Sequence, residues 1–253
     1  MIGCIIQARV GSNRLPKKIL KNLDKKYNVL DYVINQLKFS KKIDKIIIAT
    51  TLSKDDDVIV NFAKKNNYNY FRGSENDVLD RFYQCAKKFN LDTIVRITSD
   101  CPLIDPNIVD QVIEKFKLTN HEYVTNTFPR TFPKGLDVEI FNLKLLKEIW
   151  ENAILPSEKE HVTQFVFNNK KFKIGNVENV KNLSDLRWTI DYEKDYEFLF
   201  KIIQKIEKRP ILMNDVLKIL YSEPELKEIN SDIDPNEGLK KSQEEDKIFL
   251  NKN

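Results

Sequence analysis

A basic loop near the start of the chain has the residue types needed to hold phosphate groups. The apolar segment Met1–Ile6 leads into a stretch with three small or turn-forming residues, Gly11, Ser12 and Pro16. The same stretch carries four cations: Arg9, Arg14, Lys17 and Lys18. Backbone N–H groups of such a loop can turn toward phosphate oxygens while the cations neutralise charge. The loop therefore predicts a polyphosphate site, against the alternative of a connector that is basic only because the protein is rich in lysine. The Walker and dinucleotide fingerprints are both absent.

Two aspartates follow apolar segments further along the chain. Asp100 comes after Thr93–Ile97, and Asp191 comes directly after Leu186–Ile190. Mg²⁺ is often held by one or two carboxylates together with phosphate oxygens and water. Asp100 and Asp191 are therefore candidate ligands of one Mg²⁺ ion. The alternatives are structural, with Asp100 as a turn residue and Asp191 as the N-cap of the helix that follows.

A third group of polar residues lies in the second half of the chain. Alternation places Asp137 and Glu139 on one face of a strand, where they can bind sugar-like hydroxyls or a cation. The alternative is a solvent-facing edge strand. His161 is one of two histidines, and an isolated histidine near a helix start is more often structural than catalytic. Three cations are candidates for guiding an anionic acceptor: Arg130, Lys134 and Arg187.

Strands and helices alternate in the first half of the chain. The predicted strands are Ile2–Ile6, Ile46–Ala49, Tyr68–Phe71 and Thr93–Ile97. The predicted helices are Val29–Leu37, Asp56–Lys65, Val78–Phe89 and Ile108–Phe116, with Asp55 or Asp56, Ser74 and Asp105 as N-caps and Pro106 at a first helical position. Such alternation indicates βαβ units and a parallel sheet, which binds ligands beyond the carboxyl ends of its strands.

The second half is less regular. Its predicted strands are Tyr123–Asn126, Val138–Phe141, Phe172–Val177 and Leu186–Ile190. Its predicted helices are Leu143–Trp150, Tyr192–Ile206 and Asn214–Tyr221. The polar residues from Asn230 onward are expected to form a loosely docked tail.

Composition limits the class of protein. The 253 residues, 41% of them hydrophobic and 32% charged, fit one large α/β domain or one domain with an appendage. The net charge of +4 is spread along the chain, so nucleic-acid binding is not predicted. No apolar stretch approaches the ~20 residues of a membrane span, and we expect a cytoplasmic protein. The three cysteines lack a C-x-x-C spacing, which favours reduced, buried thiols over a disulfide or zinc site.

Six blocks of residues, in order along the chain, resemble the sugar-activating cytidylyltransferases, which include the enzymes that make CMP-Kdo and CMP-sialic acid. The first block is the basic loop, Ala8-Arg9-x-x-Ser12-x-Arg14-Leu15-Pro16-x-Lys18. The others span residues 71–81, 96–105, 135–139, 157–163 and 186–191. The pattern is most similar to the branch that resembles the spore-coat polysaccharide cytidylyltransferases, and it covers residues 2 to 207.

The resemblance implies an α/β fold of the nucleotide-diphospho-sugar transferase type. This is a Rossmann-like, GT-A-like three-layer sandwich with a mostly parallel central sheet. It also implies transfer of CMP from CTP, with release of pyrophosphate, to an acidic sugar or phosphorylated small molecule during synthesis of capsule or other surface polysaccharide. Mg²⁺ is the implied cofactor, bound by Asp100 and Asp191.

Other site residues are carried over by position. The triphosphate is expected to contact Ala8, Arg9, Ser12, Arg14 and Lys18, and the base and ribose are expected to contact Ala49, Thr50, Gly73 and Ser74. The expected catalytic groups are Lys18, Arg14 and Asp100. The expected acceptor contacts are Lys134, Asp137, Glu139, His161 and Arg187. Lys17 departs from the pattern, because many relatives carry glycine there.

The resemblance further implies a nucleotidyltransferase domain at residues 1–208 and a C-terminal helix and polar tail at 209–253. Residues 120–180 are expected to form an excursion used for acceptor binding and for a homodimer. The segment Asn236–Ser242 also looks like tails of this branch. Two alternatives stay open: a glycosyltransferase of the same fold class, although a D-x-D motif is missing after Asp100, and a catalytically silent nucleotide-binding subunit.

Overall fold

The computed structural model describes residues 1–12, 14–234 and 237–252. Within these residues, seven strands form one sheet. The strands are β1 (Ile2–Gln7), β2 (Lys45–Thr51), β3 (Asn69–Gly73), β4 (Thr93–Thr98), β5 (Tyr123–Thr125), β6 (Glu139–Asn142) and β7 (Ile174–Asn176). Their order across the sheet is β3-β2-β1-β4-β6-β5-β7.

The sheet is mostly parallel. β1 pairs in parallel with both β2 and β4, and β2 pairs in parallel with β3. β6 runs antiparallel to its two neighbours, β4 and β5, whereas β5 and β7 are parallel. The predicted Rossmann-like α/β fold is confirmed.

Helices cover both faces of the sheet. They are α1 (Val29–Leu37), α2 (Asp57–Lys65), α3 (Val78–Lys88), α4 (Pro106–Leu118), α5 (Leu143–Asn152), α6 (Pro156–His161), α7 (Gln164–Asn168), α8 (Glu193–Gln204), α9 (Met213–Ser222) and α10 (Glu237–Leu250). Cys4 and Ile6 of β1 belong to one buried apolar cluster, and Ile5 belongs to the other. A strand buried on both faces in this way is typical of a three-layer sandwich.

The predicted helix starts are partly correct. Asp105 caps α4 by accepting from Asn107 N at 2.8 Å, and Pro106 occupies the first helical position. The N-cap of α3 is Asp77, not Ser74, because the Asp77 side chain accepts the N–H of the helix's third residue. The backbone of Asp56 precedes α2, but its side chain makes no capping bond.

The prediction of a strand at Leu186–Ile190 is wrong. A single parallel bridge joins this segment to Lys134. Trp188 N donates to Lys134 O at 2.6 Å, whereas Ile190 N donates to Asp100 O at 2.9 Å. These two N–H groups therefore bind two separate parts of the chain instead of one neighbouring strand.

The C-terminal region contains two helices. α9 buries Val216 and Leu220 in the main apolar cluster. α10 lies against α6. Asn236, the first residue of the tail motif, lies outside the described residues. Among the helices of the described chain, none has the length and apolar character needed to cross a membrane.

Candidate nucleotide and metal site

The loops that carry the predicted site residues meet at one edge of the sheet. β1 and its neighbours β2 and β4 run in parallel, so their carboxyl ends lie side by side. The basic loop, residues 8–18, follows β1, and Asp100 follows β4. Ala49 and Thr50 lie near the carboxyl end of β2, and Gly73 ends β3. The sheet therefore brings the predicted nucleotide contacts to one edge.

Asp56 fixes the start of the basic loop. Its side chain is buried, and its Oδ1 accepts from Val10 N at 2.8 Å. Its Oδ2 accepts from the backbone N of Thr51 at 3.2 Å and from the Thr51 hydroxyl at 2.5 Å. One buried carboxylate thus ties the loop after β1 to the end of β2. The sequence suggested only a helix cap here, because the two tied segments are far apart in the chain.

Lys17 has a backbone conformation that glycine adopts without strain. Its φ of 55° lies in the left-handed region, which costs a residue with a Cβ roughly 1–2 kcal/mol. Lys17 N donates to Val10 O at 3.2 Å, and Leu15 N donates to the Ser12 hydroxyl at 3.3 Å. These hydrogen bonds within the loop fix its backbone, and they therefore fix the position from which the Lys18 side chain extends.

Lys18 joins the two predicted metal ligands. Its Nζ donates to Asp100 Oδ2 at 2.7 Å, to Asp191 Oδ1 at 2.9 Å and to Ile190 O at 2.7 Å. Burial by itself would lower the pKa of Lys18, but the two carboxylates outweigh it and raise the pKa above its ordinary value. The ammonium group is therefore charged, and all three of its N–H donors are engaged.

Asp191 is the most strongly paired carboxylate of the site. Besides Lys18, it accepts from Arg14 at 2.5 Å and from Arg187 at 2.9 Å. Burial would raise its pKa, but Lys18 and Arg14 hold the pKa far below the usual range of an aspartate. Asp191 does not cap α8, because Tyr192 is the N-cap residue and the Asp195 side chain accepts from its N–H. The alternative that Asp191 is a simple helix cap is therefore wrong.

The two carboxylates suit a metal ion that takes its remaining ligands from phosphate groups and water. Asp100 and Asp191 both lie within 3 Å of one nitrogen, and a divalent cation at that point would replace the charge of Lys18. In the described part of the chain, no group of three or more His, Cys, Asp or Glu side chains is placed to hold a metal. Two carboxylates fit Mg²⁺, which usually keeps waters and binds substrate phosphates, and they do not form an all-protein cage.

A buried arginine supports the predicted base-side residues. Arg81 is 1% exposed and donates to Ser74 O at 2.9 Å and to Glu75 O at 3.3 Å. A Cβ on Gly73 would lie 2.8 Å from the Arg81 side chain, so glycine allows this close packing. Burial, and then the charge of Arg9, lower the pKa of Arg81 to about 10. Arg81 shapes the loop after β3, a role that its place in the sequence did not indicate.

Each carboxylate of the predicted acceptor pair already has an arginine partner. Glu139 accepts from Arg96 at 2.9 Å and from the Thr163 hydroxyl at 2.8 Å. Asp137 accepts from both terminal nitrogens of Arg130, at 2.5 and 2.7 Å. Burial would raise the pKa of Asp137, but Arg130 lowers it below the ordinary value. The alternative of a solvent-facing edge strand is wrong, because β6 lies between β4 and β5.

Arg187 serves to hold Asp191. Its Nε and one terminal nitrogen bind the fully buried Asp195 at 2.8 and 3.0 Å, and the same terminal nitrogen reaches Asp191. Its guanidinium is therefore occupied by carboxylates, contrary to the expectation of a cation open to the acceptor. Next to it, burial and the charge of Arg187 lower the pKa of Lys134. Gly135 follows with a φ of 110°, and a Cβ there would lie 2.6 Å from the Trp188 backbone.

His161 is the last residue of α6 and lies in the part of the site that is predicted to bind the acceptor. Its Nε2 lies 2.7 Å from the Ser242 hydroxyl. Burial, and then the charge of Arg96, lower the pKa of His161 below its ordinary value. The preceding residue, Glu160, lies 3.9 Å from Arg9 of the basic loop. α6 thus links the predicted acceptor side of the site, around His161, to its predicted phosphate side, around the basic loop.

Comparison with known proteins gives a consistent result. A family model described as cytidylyltransferase matches residues 3–221. The uncharacterized protein MJ1063 of Methanocaldococcus jannaschii is 37% identical over 90% of this chain and 94% of its own length. The spore coat polysaccharide biosynthesis protein SpsF of Bacillus subtilis is 31% identical over 87% of this chain and 94% of its own. A solved cytidylyltransferase from Leptospira borgpetersenii aligns with a TM-score of 0.86 and 38% identity, covering 89% of this chain and 96% of that one.

Proposed function

Because this chain belongs to the cytidylyltransferase family, we propose that it transfers CMP from CTP to an acidic sugar or a phosphorylated small molecule and releases pyrophosphate. The observation that carries the proposal is the cluster of Lys18, Asp100 and Asp191, with Arg14 beside it. Such a cluster at the carboxyl edge of a parallel sheet offers cations for a triphosphate and carboxylates for its metal.

In nucleotidyl transfer, the protein contributes mainly by positioning the reactants and neutralising their charge. The acceptor oxygen attacks the α-phosphorus in line, and pyrophosphate leaves. Lys18 and Arg14 neutralise the charge that builds on the leaving pyrophosphate, while Arg9 and Ser12 hold the triphosphate. Asp100 and Asp191 would hold Mg²⁺, which would supply Lewis-acid charge stabilisation at the phosphates. Arg187 keeps Asp191 oriented for this role.

The base and ribose are proposed to lie against the ends of β2 and β3. Ala49 and Thr50 are buried there, and the Arg81 bonds hold the carbonyl groups of the loop that begins at Ser74. A loop with a fixed backbone can distinguish bases by the hydrogen bonds that its own groups offer. Thermal shifts with the four nucleoside triphosphates test the preference, since a hundredfold excess over Kd stabilises by about 2.7 kcal/mol.

The acceptor is proposed to bind beside β6 and α6, where Lys134, Asp137, Glu139 and His161 lie. Lys134 suits an anionic acceptor, and the oxygens of Asp137 and Glu139, although paired with arginines, suit its hydroxyls. The name of the Bacillus subtilis relative, a spore coat polysaccharide biosynthesis protein, supports an acceptor used for a surface glycan. An acidic sugar and a phosphorylated metabolite both meet these requirements.

The proposed domain limits are 1–208 for nucleotidyl transfer and 209–253 for the C-terminal helix and tail. We also propose a cytoplasmic homodimer in which residues 120–180 form the contact. The exposed apolar side chains of that segment, which include Phe128 and Ile154, are available for it. Sedimentation equilibrium tests the dimer: a mass of twice 29.8 kDa is expected, and a single protomer at micromolar concentration contradicts it.

The test of the activity is pyrophosphate release from CTP and Mg²⁺ with a panel of acidic sugars and phosphorylated metabolites. Asp100→Ala is expected to lower turnover by about 10²–10³, which is typical for loss of one electrostatic contact in an active site. Asp232→Ala is the control, because Asp232 pairs with Lys194 on the exposed surface. Near-normal turnover of Asp100→Ala would refute the metal assignment. Tight CTP binding without pyrophosphate release from any acceptor would instead identify a silent nucleotide-binding subunit.

A further inference from the structure

The C-terminal helix α10 contacts both halves of the proposed site, although it lies beyond the residues that match the family model. At its start, Glu237 accepts from the hydroxyl of Tyr192, the residue next to Asp191. The Arg14 guanidinium lies 5.6 Å from the centre of the same tyrosine ring. The first residue of α10 is therefore tied to the phosphate side of the site.

Later in the helix, two side chains bind α6. Asp246 accepts from the backbone N and the hydroxyl of Ser157, at 2.9 and 2.5 Å. Ser242, which is 3% exposed, lies 2.7 Å from His161 Nε2. Glu237 and Asp246 are separated by about 14 Å along a helix with a 1.5 Å rise per residue. α10 thus spans from the phosphate side to the acceptor side.

The contacts of Ser242 favour one tautomer of His161. The Ser242 hydroxyl also lies 3.1 Å from Gly238 O, one turn earlier in α10. A hydroxyl has one hydrogen and can accept with its lone pairs. Both contacts are hydrogen bonds at once when Ser242 donates to the Gly238 carbonyl and accepts from the Nε2–H of His161. The imidazole then carries its lone pair on Nδ1, for which the described residues provide no hydrogen-bond partner.

We propose that α10 is a wall of the acceptor-binding half of the site, and that Ser242 is a positioning residue which holds His161 in the Nε2–H tautomer so that Nδ1 accepts a hydrogen bond from an acceptor hydroxyl. The proposal rests on the function proposed above. A neutral imidazole is required for this role, and the charged groups around it are Arg96 of β4, Glu160 of α6 and Asp246 of α10. Burial and Arg96 favour the neutral form, against the two carboxylates.

The experiment is nuclear magnetic resonance of the imidazoles in the full-length protein. The chain has only two histidines, His121 and His161, so a His121→Gln variant assigns both sets of signals. Long-range ¹H–¹⁵N spectra report the tautomer, and a pH titration reports the pKa. The variants are Ser242→Ala, the conservative Ser242→Thr, and Glu244→Ala as a control at an exposed position of α10.

We expect His161 to be in the Nε2–H form in the wild type, in Ser242→Thr and in Glu244→Ala. Ser242→Ala should show a mixed or reversed tautomer. With an acceptor found in the pyrophosphate assay, Ser242→Ala should lower kcat/KM for the acceptor by about tenfold, as for the loss of one positioning hydrogen bond. Its KM for CTP should remain within about twofold of the wild-type value, because Ser242 does not contact the phosphate side.

Two results would overturn the proposal: an Nδ1–H tautomer in the wild type, or an unchanged tautomer and unchanged acceptor kinetics in Ser242→Ala. The spectra do not depend on turnover. A failure of the proposed function, seen as no pyrophosphate release from any acceptor, is therefore distinguishable from a failure of the role assigned to Ser242. An Nε2–H tautomer that is lost in Ser242→Ala supports that role.

Discussion

Replacing Lys18 by methionine tests whether its charge holds the two carboxylates together. Methionine has a similar length and no charge, so the change removes three hydrogen bonds and the positive charge but little volume. The side chains of Lys18, Asp100 and Asp191 are 11%, 23% and 13% exposed. Without Lys18, two carboxylates that lie within roughly 6 Å of each other would repel with little screening by water.

The expected cost in the free energy of unfolding is about 2–3 kcal/mol at pH 7. Breaking a buried ion pair typically costs 3–5 kcal/mol. The expected value is lower here because Asp191 keeps Arg14 and Arg187 as partners, and because Asp100 is partly solvated. Urea unfolding in the presence of a chelator measures the difference.

Added Mg²⁺ should separate this effect from a packing defect. In Lys18→Met the carboxylates are open to a cation, so Mg²⁺ at ten times its dissociation constant should restore about 1.4 kcal/mol. In the wild type, Lys18 competes for the same oxygens, and the stabilisation by Mg²⁺ alone should be smaller. Lys21→Met is the matched control, since Lys21 pairs with the exposed Glu193, and it should cost less than about 1 kcal/mol.

The reasoning would be refuted if Lys18→Met unfolded with the same free energy as Lys21→Met. It would also be refuted if Mg²⁺ stabilised Lys18→Met no more than the wild type. Either result would mean that the ammonium group does not offset the repulsion between the two carboxylates.

Three further changes have defined outcomes. Lys17→Gly removes the strain of a left-handed residue but adds chain entropy to the unfolded state, so urea unfolding should show a change of less than about 1 kcal/mol. Asp56→Ala leaves the N–H groups of Val10 and Thr51 without their buried acceptor, and it should destabilise by about 2–3 kcal/mol and raise the KM for CTP. The low pKa of Asp191 gives stability that is present above the unfolded pKa of about 3.9 and lost as the pH falls below it. Asp191→Asn should therefore show a shallower loss of stability than the wild type below about pH 4.

Each of these three predictions would be contradicted by a specific result. A loss of more than 2 kcal/mol in Lys17→Gly would mean that the Lys17 side chain itself stabilises the loop, since the added chain entropy costs only about 0.5–1 kcal/mol and the relief of strain acts in the opposite direction. Wild-type affinity for CTP in Asp56→Ala would mean that CTP binding does not depend on the hydrogen bonds that Asp56 makes to the start of the loop. Parallel acid-denaturation curves for Asp191→Asn and the wild type would contradict the lowered pKa of Asp191.

The sequence predicted the elements that depend on local pattern. Apolar runs followed by turn residues located β1 to β4, and the spacing of Asp105 and Pro106 located the start of α4. The segment at Leu186–Ile190 was misassigned because it alternates in the manner of a strand. Its partners are Lys134 and Asp100, which lie in separate parts of the chain, and no local pattern indicates a segment that bridges two others.

The site was predictable in its residue types and less so in its pairing. The positions of Lys18, Asp100 and Asp191 followed from strand ends and from the resemblance to a family. The partners of Glu139 and Asp137 could not be predicted, since a sequence shows that arginines are present but not which carboxylates they bind. Asp56 is the clearest omission. A buried carboxylate before a helix resembles a cap in any single sequence, whereas one oxygen of Asp56 binds Val10, in a loop 46 residues away.

The saturation of Lys18 has a consequence for how the proposed nucleotide binds. An ammonium group has three donors, and here three oxygens of the protein already accept them. A phosphate oxygen can bond to Lys18 only by taking the place of one of these oxygens. Association of the triphosphate is thus an exchange of hydrogen bonds, and its affinity is a difference between two sets of strong contacts. Such a site favours rapid release of the product as well as recognition of the substrate. When the product leaves, the oxygens of Asp100, Asp191 and Ile190 can form their hydrogen bonds with Lys18 again.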